Sequence, residues 1–351
     1  MKTLTLNKFR TKAISVIRQS KNLIYPDALI LMYHRVAEID NDPWSLTVTP
    51  KNFSEHLEII RKLGNPVHLS LLRRRINDNK SVKRYIVLTF DDGYADNLYN
   101  AKPLLEKYDI PATVFVTSSA INKRREFWWD ELDRLIFQPL NLPSHLQLHV
   151  NGESFQWLLS DKGHYSQDRI LCRNLSNINK SQKVNTSTDD RRSLHHEIYH
   201  ILKYLPSFER DQVLGELRLL TNSDCRTKNN YPSLTSDDLV LLETGGLIEI
   251  GAHTVSHPFL SELDIHSQKD EIHNSKHYLE NILDHPVNSF AYPHGSYNSD
   301  TIAIVKEAGF TCACSTLFGR VKRHSNIFLL PRFKVNNCNS NTFTKKYLMI
   351  P

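Results

Sequence analysis

The residues best suited by type to chemistry are Asp91 and Asp92, adjacent carboxylates that close an apolar run in IVLTFDDGYADN (Ile86 to Asn97). Two carboxylates at the end of a packed strand repel one another, so one must meet a cation or give up its charge. A second stretch, GLIEIGAHTVSHPFL, supplies His253 and His257 after another apolar run. Histidines four apart can face one way from a compact turn and grip one divalent cation. Taken alone that pair says little, because a chain with 17 histidines produces such spacing by chance. The two pairs together say more: both follow strands, and parallel α/β folds gather their active sites at strand ends. Two histidines and one aspartate with an open position make a catalytic metal set, with zinc the default ion. A water of lowered pKa would then lose its proton to the second carboxylate.

Positioning those groups takes a repeated unit. Short apolar runs alternate with amphipathic stretches over most of the 351 residues, the signature of βα units around a parallel sheet or barrel. Candidate strands are ALILMYH, YIVLTFDD, ATVFVTSS, LIEIGAHT, SFAYPHG, TCACSTL and LLPRFKV. Helices are expected at Thr49–Leu63, Asn97–Tyr108, Thr235–Thr244, Ser267–Leu283 and Asp300–Ala308, with glycine stops at Gly64, Gly245 and Gly309. Asp96 and Asn97 are expected to cap the second of these. From about Gln138 to Pro232 the rhythm breaks. A hairpin turning on Asn151-Gly152 is followed by a polar stretch, Asn174 to Ser187, expected as loop, and by helical segments around His195–Leu205 and Phe208–Leu220. This reads as a mixed α/β insertion between the acid pair and the histidine pair, over one mouth of the barrel.

Hydrophobic content of 40%, charged content of 23% and 11 glycines describe an ordinary globular chain able to bury a sizeable core. The formal charge of +6 is concentrated at the start, where Lys2, Lys8, Arg10, Lys12, Arg18 and Lys21 all precede Asp27. Leu6, Phe9, Ala13 and Ile17 recur among them at helical spacing. Residues 1–26 therefore read as a basic amphipathic segment, either in peripheral contact with a membrane or as a solvated or core-docked helix. The run AISVI is cut short by Arg18 and lacks a small-residue cleavage site, and ALILMY is too short to span a bilayer. Five cysteines without CxxC spacing argue against a disulfide framework and a structural zinc site, so a cytoplasmic protein is expected. Nucleic acid is not an expected partner, for want of zinc-finger spacing or a long basic stripe.

TFDDGY and HTVSH resemble the first and second motifs of the polysaccharide deacetylases of the NodB-homology type (carbohydrate esterase family 4), in the same order and each after a strand. The resemblance runs from LILMYHRV to LPRFKV, within a deacetylase region spanning 27–351. It implies a distorted (β/α)7 TIM-like barrel and a carbohydrate substrate, with Asp91 as catalytic base and Asp92, His253 and His257 holding the metal. The family's third motif, R-P-P-[YF]-G, is matched here by FAYPHG, with Ala291 where the arginine is expected. Arg332 in LPRFKV is the candidate replacement beside Asp91, the plainer alternative being a surface ion pair. By the same alignment the backbone N–H of His294 would help bind an oxyanion. Pro293 and Gly295 would shape that turn, with Tyr94 and Tyr292 beside the substrate. The family's general acid, a histidine in a late L-x-H motif, has no clear counterpart; His34 in MYHRV is the first candidate, ahead of His294 and His324. Trp128 and Trp129 in FWWDEL suit either a sugar face or a core-facing helix, and Trp129 is assigned to the substrate.

The expected function is metal-dependent hydrolysis of N-acetyl groups on a sugar during assembly of a surface polysaccharide. An O-acetyl esterase or a deformylase would use the same groups. From another class, a sugar-binding protein without catalysis is the alternative, suggested by the missing motif-three arginine and general acid.

Overall fold

The computed structural model describes residues 27–39, 41–123, 125–139, 142–158, 190–222 and 233–349. The basic segment 1–26 and the polar stretch 174–187 lie outside them. In chain order the strands are β1 (Leu29–Tyr33), β2 (Arg35–Val36), β3 (Thr47–Val48), β4 (Asn65–Pro66), β5 (Tyr85–Phe90), β6 (Ala112–Val116), β7 (His145–Val150), β8 (Glu153–Leu158), β9 (Ile248–Ala252), β10 (Ser289–Ala291), β11 (Cys312–Cys314) and β12 (Phe333–Lys334). The helices are α1 (Pro50–Leu63), α2 (Leu69–Asn77), α3 (Lys102–Tyr108), α4 (Trp128–Phe137), α5 (Asp190–Leu202), α6 (Ser207–Leu220), α7 (Ser236–Glu243), α8 (Ile265–Leu283), α9 (Ser299–Glu307) and the short α10 (Ser340–Phe343). They divide into two compact units, one running to Arg124 and resuming at Ser233, the other from Arg125 to Pro232.

Runs such as LILMY and ATVFV are buried at every position, as strands covered on both faces must be. In the first unit they form a parallel sheet in the order β11-β10-β9-β6-β5-β1-β12, with β4 added beside β5. A parallel bridge from Cys314 to Leu330 brings the chain entering β12 against β11, so the two sheet edges meet on one segment. The result is the expected distorted seven-stranded barrel.

Alternation along the strands builds two cores. Leu31, Tyr33, Leu88 and Phe90 pack with Phe53, Leu57 and Ile60 of α1, whereas Ile30, Val87, Phe115 and Cys314 pack with Leu69, Leu72 and Ile76 of α2. Each such buried Leu or Phe contributes about 1.5–3 kcal/mol of transfer free energy. Because α2 also packs on Ala28 and Val321, it closes the barrel where the strands begin and leaves the strand C-termini for the site.

Helix starts follow the polar residues expected of them. Thr49 accepts from the Asn52 N–H, and Thr235 forms a capping box with Asp238. Asp96 and Asn97 differ: Asp96 takes the Arg35 Nε–H and the Val36 N–H at 3.0 Å each, and Asn97 Nδ2 donates to His34 O. Both are spent on the chain after β1, and neither caps a helix. Gly64 does end α1, yet at φ −116°; its need for glycine is spatial, since a Cβ there would meet Ile86 Cδ1 at 2.1 Å.

The second unit starts at Arg125 and takes in α4, where the sequence placed the insertion's start near Gln138. Its hairpin β7–β8 turns on Asn151 and Gly152, both with positive φ, as a two-residue hairpin loop requires. In the first unit, the chain leaving for this insertion and the chain returning are tied together. Asn122 N–H donates to Leu234 O at 3.1 Å, Asn122 Nδ2 to Ser236 Oγ at 2.8 Å, and Ser233 Oγ to Ala120 O. Among the described residues no helix is long and apolar enough to cross a membrane.

Candidate active site

β5 delivers the acid pair by ending abruptly. Asp91 N–H still donates to Tyr33 O at 3.0 Å, but Asp92 turns away with φ 76° and Gly93 follows at 85°. A Cβ at Gly93 would lie 2.9 Å from Val116 Cγ1, so only glycine lets the chain leave the strand there. β9 ends similarly: His253 N–H donates to Val116 O, after which Thr254 and His257 take φ of 65° and 61°. Non-glycine residues in that conformation cost about 1–3 kcal/mol each and collect at functional sites.

These turns bring Asp92, His253 and His257 together, all buried, with one ligand atom of each within 4.8 Å of the others. Asp92 Oδ1 lies 3.5 Å from His253 Nε2 and 3.3 Å from His257 Nε2. His253 Nδ1 is 2.8 Å from Ala291 O. A carbonyl only accepts, so Nδ1 carries a proton and Nε2 is the ring nitrogen turned towards Asp92. Burial alone would raise the Asp92 carboxyl; the imidazoles facing it outweigh burial and hold it well below its ordinary range. Burial holds His257 below the usual imidazole range, against the pull of Asp92. A carboxylate and two imidazoles at this spacing fit a divalent cation.

Asp91, next door, is engaged by an arginine. Arg332 Nη1 and Nη2 reach Asp91 Oδ1 and Oδ2 at 2.7 Å each, the parallel fork that suits guanidinium to carboxylate. Arg332 is 1% exposed and also donates to Ser315 O at 2.9 Å and to Thr89 Oγ1 at 3.1 Å. Thr89 in turn donates to Leu31 O, which turns its lone pair to the guanidinium. Burial pushes the Asp91 carboxyl up and Arg332 pulls it down further, leaving it ionised below its ordinary value. This is a buried pair, not the surface one weighed from sequence.

His34 follows β1 at the same end of the barrel, half-buried; burial lowers its pKa while Asp92 and Asp91 draw it up. His294 sits in the turn Pro293–Gly295 at φ 56°, its ring 4.4 Å from that of His257 and stacked 4.0 Å from Phe259. Gly295, at φ 69°, is forced, because a Cβ would fall 1.9 Å from Thr316 Oγ1. His324 is exposed and accepts from Arg323 Nε.

The aromatic assignments to substrate do not survive as side chains. Tyr94 is wholly buried under the Arg35 guanidinium, 4.2 Å from its ring centroid, and Tyr292 is wholly buried with its hydroxyl on Phe328 O. Pro293 is buried as well. Trp129 is 5% exposed within the second unit, stacked on Phe127 and edge-on to Trp128, so it offers no free face. Apolar aromatic character in the sequence reported core packing at these positions.

Two residues escaped the sequence reading. Thr254 Oγ1 accepts the His257 N–H at 3.0 Å, and Glu271 on α8 accepts from Val255 N–H, Ser256 N–H and Ser256 Oγ. Thr254 lies between the two histidines and was there to be read; Glu271 carries no signal of its own on a helix with several acids.

An Asp-His-His set that could hold a cation thus lies beside an arginine-held aspartate at the strand ends of a parallel barrel. Residues 78–162 and 226–313, just under half of the chain, match the family model described as polysaccharide deacetylase. The chain is 30% identical over 129 residues to YxkH of Bacillus subtilis (strain 168), itself only provisionally assigned as a polysaccharide deacetylase. That match covers 35% of this chain and 44% of YxkH, less than half of the relative's length. The fold is similar to that of Streptococcus pyogenes deacetylase PplD, solved in complex with acetate (TM-score 0.55, 19% identity, 92% of this chain and 98% of that one). It is also similar to IcaB from Ammonifex degensii (TM-score 0.56, 15% identity, 92% and 96%). At those identities the likeness is one of fold.

Proposed function

We propose that this protein is a metal-dependent carbohydrate deacetylase that hydrolyses N-acetyl groups of an amino sugar. The observation that carries the reading is the buried Asp92-His253-His257 set directly beside the Asp91–Arg332 pair. Asp92, His253 and His257 would hold the cation, zinc by its ligand types. When bound there, such an ion supplies Lewis acidity towards the acyl oxygen and lowers the pKa of water. Asp91, kept ionised and oriented by Arg332, takes the proton of the attacking water. The turn at His294 presents its backbone N–H, which has no acceptor among the described residues, to the oxygen that becomes negative. His34 delivers a proton to the leaving amine. The relative solved with acetate, the product of such a reaction, supports this choice over a deformylase. A buried guanidinium on Asp91 also weighs against a binding protein without catalysis, which has no use for an oriented base.

The test is zinc content together with acetate release from N-acetylated and O-acetylated sugars, for the wild type and Asp91→Asn. We expect about one zinc per chain in both and a loss of ~10²–10⁴ in kcat in the variant. Release from the O-acetyl substrate alone would make it an esterase, and absence of bound metal would remove the reading.

We also propose a cytoplasmic place at the inner membrane face, in assembly of a surface polysaccharide. Besides the basic segment 1–26, the barrel end closed by α2 carries Arg74, Lys83 and Arg84, all exposed, and the segment following Val321 adds Lys322 and Arg323. Clustered cations favour anionic headgroups by about 1 kcal/mol each near the surface. Co-sedimentation with vesicles containing anionic lipid, lost at high salt, is the expected result; equal binding to neutral vesicles would exclude it.

A further inference from the structure

We infer that Glu271 is a positioning residue for the metal site: its carboxylate fixes the turn that carries His257, and so sets the affinity for the cation. This rests on the reading of Asp92, His253 and His257 as ligands. Between the two histidines the chain takes left-handed φ at Thr254 and again at His257, neither a glycine. Such a turn persists only where its surroundings over-determine it. Two sets of partners do so. On the barrel side Ser118 N–H donates to Thr254 O at 3.1 Å and Ser119 N–H to Val255 O at 2.9 Å. On the helix side Glu271 Oε2 accepts both the Val255 N–H and the Ser256 N–H at 2.8 Å, while Oε1 accepts the Ser256 hydroxyl at 2.6 Å.

The barrel-side bonds hold the turn by its carbonyls, while the amides of Val255 and Ser256 are met by Glu271 and that of His257 by Thr254 Oγ1. Glu271 stands on α8, whose buried residues Gln268, Ile272 and Ser275 flank it, so the carboxylate comes from a rigid element. Without it, Val255 and Ser256 lose three acceptor contacts at once. The turn can then relax its two strained residues and carry His257 Nε2 away from Asp92. His253 is anchored separately, through Ala291 O and its sheet bond to Val116 O. The loss should therefore fall on one ligand of three and weaken binding without abolishing it.

The measurement is the zinc dissociation constant of the metal-stripped full chain, by competition with a chromophoric chelator, with circular dichroism and melting temperature as controls for folding. Glu271→Ala should bind zinc ~10–100-fold more weakly, the range seen when supports of metal ligands are removed. Glu271→Gln keeps an acceptor oxygen for both amides and should stay within about threefold of the wild type. Wild-type affinity in Glu271→Ala would overturn the inference, as would equal weakening in Glu271→Gln and Glu271→Ala, which would make charge and not the clamp responsible. If Glu271→Ala does not fold, Glu271→Leu, which fills the space but offers no acceptor, takes its place, and unchanged affinity there would overturn it too. A wild type that binds no zinc at all would instead remove the metal-site reading on which the inference stands.

Discussion

Asp91 and Asp92 are neighbours with opposite attachments: one faces a guanidinium, the other two imidazoles, and that division resolves the repulsion their adjacency implies. Both Asp91 and Arg332 are almost completely buried, so removing one partner strands the other's charge. Arg332→Ala should cost ~3–5 kcal/mol of stability, read by denaturant titration. Arg332→Lys should keep most of the stability but lose activity, because an ammonium cannot hold both carboxylate oxygens in the fork geometry. A lysine variant with unchanged kcat would show that orientation of Asp91 does not matter. Gly295→Ala tests the turn at His294: a Cβ placed 1.9 Å from Thr316 Oγ1 must displace it. The expected result is a lower kcat with zinc content unchanged. At this scale the sequence was informative wherever a residue's type had a single use. It picked out Asp92, His253 and His257, which the structure gathers, and Arg332, which meets Asp91. It failed for Tyr94, Tyr292 and Trp129, whose rings serve a protein core as well as they would serve a sugar.

At the scale of elements, strand runs and capping residues were legible because each depends on a few neighbouring positions. The exceptions have local causes of a kind that pattern does not reveal. LLPRFKV yields only the two-residue β12, since Pro331 has no N–H to offer a ladder. No helix separates β11 from β12; the intervening chain pairs instead with β11 through Leu330 and with Ala28 through Val321. Contacts between distant elements were legible only where charge or ligand type demanded a partner, as at Asp91 and Arg332, and His56 is the clearest of the rest. It stacks on Phe343 of α10 at 4.0 Å, its Nε2–H donates to Cys338 O at 2.7 Å, and its Nδ1 faces the Tyr33 hydroxyl of β1. Burial pushes its pKa down to about 4. The folded form thus prefers neutral imidazole and the unfolded chain binds the proton more readily. Its contribution is present above the unfolded pKa, about 6.5, and is lost as pH falls from there towards 4. Stability should drop by about 3 kcal/mol across that window from this residue. His56→Phe should flatten the dependence, as measured by urea titrations at pH 7 and pH 4.5; an unchanged slope would assign the acid sensitivity elsewhere.

For the whole molecule, two compact units with separate cores share one chain. The second has its own apolar interior, with Leu132, Leu146, Trp157, Leu194 and Leu214 all buried. Replacing 125–232 with a short linker should leave the barrel folded and its zinc affinity within a few-fold of the full chain, because Asp92, His253 and His257 all belong to the first unit. Loss of zinc binding in that variant would tie the site to the insertion. The bonded neck at Asn122, Ser233 and Ser236 has a further consequence, for chain entropy. β6 and β9 pair from Ala112↔Ile248 to Val116↔Ala252 across the entire second unit. Each doubling of a flexible loop adds only about 0.6 kcal/mol to the cost of closing it, and the neck fixes where the closure happens. The pairing that lines up Asp92 with His253 therefore depends on a handful of residues at the junction and hardly on the length of what is inserted. A barrel built this way can exchange, lengthen or shorten its insertion while the spacing of Asp92 and His253 stays the same.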